Sequence, residues 1–269
     1  MNLLNNVIDI LKVGSQASPL QNTFGVGLQA LPLLNIFGVG LQALPLQNLL
    51  DVAIKISDIA VRVLAGTKNT LFIFFTTLIL SLPLGLVIAF LRMSKIKIVS
   101  FITKSIISIL RGTPLMLQLI VWFYMPYYVF GIKLSVNWRI ISIIIGFSIN
   151  YAAYFAEIYR AGITNIPIGQ TEAATILGYS KSQSFFKIIL PQMIKRVIPP
   201  VTNEIITLIK DTSLAFVLTY TEVFTLAKQV AASKTTIIPL FVAGVFYYIF
   251  NGIVAITMDK IEKSFKYFD

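Results

Sequence analysis

The stretch NEIITLIKDTSL, residues 203–214, sets ionisable groups among apolar ones. Its charges are Glu204, Lys210 and Asp211, and Asn203, Thr207, Thr212 and Ser213 add an amide and hydroxyls. Asn203, Thr207 and Lys210 recur at i, i+4 and i+7 and so share one helix face, with Glu204 and Asp211 on the adjoining strip. Hydrocarbon cannot solvate such groups, so within a membrane span they face the bundle interior or a watery path. Three chemistries suit them: a gate or path for a polar solute, ion coupling, or internal pairing that only fixes helix packing. Thr212 and Ser213 can offer hydroxyls to a solute or bond back to their own helix. Other chemistry is excluded by residue type. The chain has no His and no Cys, so a Ser-His-Asp triad, thiolate catalysis, disulfides and a Cys/His zinc site are all absent. No stretch fits the phosphate-cradling G-x-x-x-x-G-K-[ST] loop, since none of the 15 glycines precedes a lysine. No catalytic residue, metal or cofactor is expected, and any energy for transport must come from a partner or an ion gradient.

A second group is Arg111-Gly112-Thr113-Pro114, a cation followed by a turn-prone triplet at a helix start. Arg111 and Thr113 suit a gate or a contact with a partner, and Arg111 equally suits an anchor reaching for headgroups at the membrane boundary. Glu157 and Arg160, at i and i+3, read as a structural pair. Trp122, Trp138 and Tyr124, Tyr127 and Tyr128 fit an aromatic belt, with stacking on a solute as the alternative.

The elements that must position these residues are membrane helices. Hydrophobic residues make up 57% of the 269 and charged ones 12%, where soluble domains carry ~25%, and the mean hydropathy is +0.83. Spanning helices need ~20 apolar residues, and four uncharged runs together with one apolar run carrying a polar stripe, 198–227, predict five spans, about 69–91, 112–132, 139–159, 198–227 and 236–258. The net charge of +11 gathers between them rather than in a basic stripe with interleaved aromatics, so nucleic acid is not an expected partner. Placing the N-terminal side outside puts thirteen Lys and Arg in the cytoplasm against eight outside, with Lys210 in the membrane, which makes 160–197 a cytoplasmic loop.

That loop contains QTEAATILGYSKSQSFFKIILPQ, residues 170–192, too polar for lipid and too regular for a slack connection. Residues 171–177 and 180–189 each suit a short helix. Gly178 would be the left-handed C′ position of the first, Ser180 or Ser182 would cap the second, and Pro191 would stop it. Glu172 in a first turn would favour the positive helix end, and Ala173 and Ala174 would leave the backbone approachable.

The spacing Glu172-Ala173-Ala174, Gly178, then Leu190-Pro191 resembles the EAA loop of ABC importer permeases. The stretches RGTPLMLQLIVWFY (111–124), NYAAYFAEIYRAGITNIPIGQ (150–170) and NEIITLIKDTSL resemble the polar amino-acid branch of that family. The likeness runs from about Gly66 to the C-terminus. It implies an all-α integral membrane protein, a type I importer permease with a five-helix bundle and a cytoplasmic coupling helix, in a bacterial cytoplasmic membrane with its N-terminus outside and C-terminus inside. It further implies a second permease chain completing the pore as a homodimer or heterodimer, an ATP-hydrolysing ABC subunit docked on the EAA helix, an extracytoplasmic solute-binding protein, and a polar amino acid such as glutamine, glutamate, arginine or histidine as substrate.

The rivals are an ABC permease for another small polar solute, an ion-coupled secondary carrier using Glu204, Lys210 and Asp211, and an intramembrane enzyme. The carrier leaves the EAA spacing unexplained. The enzyme needs an aspartate pair or a Ser-Lys dyad, which the scattered acids do not supply.

Residues 1–50 fall outside the resemblance. VGLQALPLLN (26–35) recurs as VGLQALPLQN (39–48), with a weaker copy, VGSQASPLQN, at 13–22, a period of 13. Gly and Pro in each unit spoil a regular helix, so a tolerated tandem duplication is expected, with a surface-lying segment as the alternative. The opening MNLLNNVIDILK lacks the cationic start of a cleaved signal peptide. Residues 51–68 read as an amphipathic helix at the interface, and 69–269 as the permease domain.

Overall fold

A computed structural model describes residues 46–265, and the described residues form helices and no strands. The 13-residue repeats lie outside the described residues except at 46–48. By its internal contacts the chain divides into Met1–Ala53 and Ile54–Asp269. Of the first unit only the start of a helix is described, and the second holds the helical bundle.

The helices run α1 Leu46–Leu64, α2 Thr67–Arg92, α3 Lys97–Gly112, α4 Leu115–Phe130, α5 Trp138–Thr164, α6 Ile168–Ile176, α7 Lys181–Ser184, α8 Leu190–Asp211, α9 Val223–Lys234 and α10 Ile238–Phe265. A π-helical turn, Phe185–Ile189, joins α7 to α8, and a 3-10 helix, Thr212–Leu218, comes after α8. Among the described residues, three stretches are long and apolar enough to cross a membrane: Val52–Arg92, α5 and α10. The pair α3 and α4 passes together, broken by a 111° bend. Helix α8 is disqualified by composition, because Lys195, Arg196, Glu204, Lys210 and Asp211 are spread along it.

Helix α5 is the centre of the bundle. Its Ile143, Phe147, Tyr151 and Phe155 join Ile73 and Phe74 of α2, Leu119 of α4 and Val197, Val201, Ile205 and Leu208 of α8 in the main core. Close approach depends on small residues. Ser81, Gly85 and Ala89 form a buried row on α2, and a Cβ added at Gly85 would lie 2.8 Å from Phe155 Cβ. Helix α10 carries apolar residues outward, Phe241, Val245, Ile249 and Ile253 among them.

Two stretches differ from their sequence expectation. Residues 198–227 form three pieces, the end of α8, the 3-10 helix and the start of α9. Pro191 does not stop a helix. It is the second residue of α8, directly after the π turn that sets the hydrogen-bond register, and the helical path continues from 181 to 211.

Candidate functional site

At the bend between α3 and α4, polar side chains satisfy the carbonyls that the broken helix exposes. Gln118 Nε2 donates to Leu110 O at 2.7 Å and to Thr113 Oγ1 at 2.8 Å. Asn150 Nδ2 of α5 donates to Leu110 O at 3.1 Å and to Gln118 Oε1 at 3.0 Å. Both carboxamides are buried, and the pair answers the need of a helix end in an apolar setting for hydrogen-bond partners. The bend presents Arg111, whose guanidinium lies 5.0 Å from the ring centre of Tyr154. One helical turn away Tyr151 Oη donates to Asp211 Oδ2 at 2.7 Å. Glu204 lies on the same helix as Asp211, seven residues or about two helical turns earlier.

Arg111 and Asp211 are therefore each paired with a tyrosine of α5, Tyr154 and Tyr151, a cation and a carboxylate of opposite sign held one helical turn apart on that helix. Asn203 and Lys210 share the exposed edge of α8. Thr207 Oγ1 donates to Asn203 O at 2.9 Å, Thr212 Oγ1 to Ile209 O at 2.6 Å and Ser213 Oγ to Lys210 O at 2.7 Å, so these hydroxyls bond back to their own backbone. Thr113 Oγ1 likewise donates to Ile109 O. Sequence reading missed Tyr151, Tyr154, Gln118 and Asn150. Polar side chains inside the uncharged runs were the available signal.

The loop 160–197 forms the second half of the site. Helix α6 begins at Ile168, so Glu172 lies beyond its first turn and is not a partner of the helix's positive end. Ala174 is buried, and on the opposite face Ile168, Glu172 and Ile176 are exposed, Ile176 by 86%. An acid flanked by two isoleucines forms an exposed ridge on this helix, and the isoleucines were not singled out from sequence. Gly178 has φ +79°. Its N–H bonds Thr175 O and Tyr179 N–H bonds Ala174 O, each at 3.0 Å, the reciprocal pattern that ends a helix on a left-handed residue. Ser180 and Gln183 then cap α7 reciprocally. The π turn meets α2 through Phe185 and Phe90, with ring centres 6.2 Å apart. Gln192 donates to Gln170 and Arg196 to Asn165 O, tying α8 to the loop. Leu190 and Pro191 start α8. Near the end of α5, Glu157 pairs with Arg160 at 2.7 Å and with Arg92 at 3.6 Å.

Residues 81–267 match the family described as binding-protein-dependent transport system inner membrane component. The chain is 35% identical over 208 residues to the probable amino-acid ABC transporter permease YckA of Bacillus subtilis, covering 77% of this chain and 90% of that protein. It is 35% identical over 206 residues to the arginine transport system permease ArtQ of the same organism, covering 76% and 92%. Among solved structures, an amino acid ABC transporter with histidines superposes with a TM-score of 0.69 at 27% identity, covering 79% of this chain and 97% of that one.

Proposed function

This chain belongs to the family of binding-protein-dependent transport system inner membrane components, and from that premise we propose that its polar site passes a zwitterionic amino acid under the control of its α6 ridge. The chain is a multi-pass inner-membrane permease subunit of an ATP-driven amino-acid importer and is not itself an enzyme, and ATP is hydrolysed by a partner.

Two permease chains, identical or sister, enclose the path. The exposed polar edge of α8, Asn203 and Lys210, is too costly to leave against lipid and calls for a second chain across it. Arg111, Glu204 and Asp211 line the path and stabilise the solute's opposite charges. The ridge Ile168–Glu172–Ile176 seats in the ATPase, with Ala173 on its flank and Ala174, Gly178, Leu190 and Pro191 holding its shape. The N-terminal side faces the exterior, where a solute-binding protein delivers the substrate, and residues 160–197 lie in the cytoplasm. Solute moves because the two access states differ in affinity for nucleotide and for the loaded binding protein.

The observation that carries this reading is continuity: the capped turn at Gly178–Ser180 leads through α7 and the π turn directly into the helix bearing Glu204 and Asp211. The test is reconstitution of the chain with its ATPase, binding protein and any sister permease in vesicles, offering a labelled panel of glutamine, glutamate, arginine, histidine and a sugar. Uptake of one or more amino acids that requires both ATP and the ATPase is the expected result. Uptake by this chain alone, driven by an ion gradient, would overturn it in favour of a secondary carrier.

A further inference from the structure

Just past Asp211 the chain changes character three times within a dozen residues. The 3-10 helix runs for seven residues, where such runs usually stop at about three or four because their hydrogen bonds are poorly aligned. It ends on Thr219 with φ 51° and ψ 33°, a left-handed conformation that β-branched side chains avoid, since Cβ crowds the next carbonyl oxygen. Its neighbours hold Thr219 there: Thr219 N–H bonds Phe216 O at 2.8 Å and Tyr220 N–H bonds Ala215 O at 3.4 Å. A sparsely populated conformation that persists marks a place where the surrounding structure sets the chain.

Beyond it the backbone is clamped. Glu222 is fully buried, and its carboxylate accepts from Phe224 N at 2.7 Å, Thr225 N at 2.5 Å, Thr225 Oγ1 at 2.7 Å and Tyr247 Oη at 3.0 Å. Asn69 Nδ2 donates to Thr221 O, and Val223 N to Thr70 Oγ1 at 3.2 Å. A Cβ at Gly66 would fall 2.5 Å from Val223 N, so the start of α2 lies hard against this backbone. With four donors the carboxylate is satisfied and has no call for a cation, which marks it as a fastening rather than a ligand site. Across Thr219 the two sides meet in a lighter contact. Phe216 of the 3-10 helix and Phe224 of α9 pack edge to face at 5.5 Å, and the Lys228 ammonium sits 4.2 Å over Phe216 and 5.9 Å over Phe224.

We propose that residues 212–222 are a joint, with Thr219 as pivot, Glu222 as anchor and Phe216–Lys228–Phe224 as a releasable clasp, which swings the Asp211 end of α8 as solute passes. Glu222 and Lys228 are then positioning residues for transport, acting through Asp211 without touching solute. The joint rests on the chain's being a permease. The division of strength supports it, since four hydrogen bonds on a buried carboxylate hold one side and a part-exposed cation–π contact closes the other.

The chain is free of cysteine, so Phe216→Cys with Phe224→Cys can be bridged by a short, reducible bifunctional thiosulfonate. In the full transporter complex in vesicles, bridging is expected to cut binding-protein-stimulated ATP hydrolysis and uptake by about tenfold or more, as holding a two-state element in one state requires. Reductant should restore both to the unbridged rate of the double variant, and the same reagent should leave each single-cysteine variant at its own untreated rate. Bridged complexes that run at the unbridged rate overturn the joint. Should the double variant be inactive before bridging, Lys228→Gln carries the test: opening the clasp is expected to change hydrolysis in the absence of binding protein by about threefold, the size one such contact permits, with thermal stability retained. An unchanged rate again overturns the joint. A complex with the unaltered chain that takes up no solute refutes the permease reading instead.

Discussion

Gly178 shows how one residue links shape to mechanism. At φ +79° an L-residue in general costs about 1–2 kcal/mol, Asn and Asp less, while a Cβ there would meet nothing within 4 Å. Replacement therefore loosens the turn after the ridge without crowding its neighbours. Gly178→Asp is expected to insert in the membrane at normal levels and to lose about tenfold of its coupled uptake, roughly the effect of 1.4 kcal/mol. Quantitative blotting beside vesicle uptake measures both, and full uptake at full expression would count against a coupling role. The spacing of Glu172, Ala173, Ala174 and Gly178 made this turn legible in the sequence. The Tyr151–Asp211 bond was not legible, because it joins residues 60 apart in the chain and local spacing carries no record of such a pairing. Likewise nothing in the local sequence marks Gln118 and Asn150, because the carbonyl of Leu110 that both satisfy is exposed only by the bend after α3.

Among elements, α2 and α5 make the most intimate contact because Gly85 admits Phe155. Gly85→Leu should overfill this seam, costing about 1–3 kcal/mol, and lower the thermal midpoint of the detergent-solubilised protein by several degrees, as a fluorescence melt would record. An unchanged midpoint would mean that the seam opens without penalty. Long uncharged runs made α2, α4, α5 and α10 readable, since the bilayer sets their length. The break after α8 was hidden. TSLAFVLTYTEV (212–223) has no Pro or Gly to announce a stop, and the break is imposed by a distant partner, Gly66, and by Glu222 capturing the first amides of α9. Pro191 misled for the opposite reason. A proline that ends one helix and one that begins the next look alike until the preceding turn is known to be π-helical.

At the scale of the molecule, the positive-inside rule and the α6 ridge make the same demand on orientation. Single cysteines in a cysteine-free chain can test it at two exposed positions, Val136 and Ser182. A membrane-impermeant maleimide is expected to label Val136→Cys in intact cells with the outer barrier opened, and Ser182→Cys only after the inner membrane is permeabilised. The reverse pattern would place the ridge out of the ATPase's reach. From Lys181 to Asp211 the helical path is unbroken and roughly 45 Å long at about 1.5 Å per residue. A rod of that kind resists twisting far better than a string of loops does. On the proposed orientation, torque applied at its Lys181 end would arrive at the carboxylates as rotation, turning them toward or away from the proposed passage like a key on its shaft, with little sideways displacement of lipid.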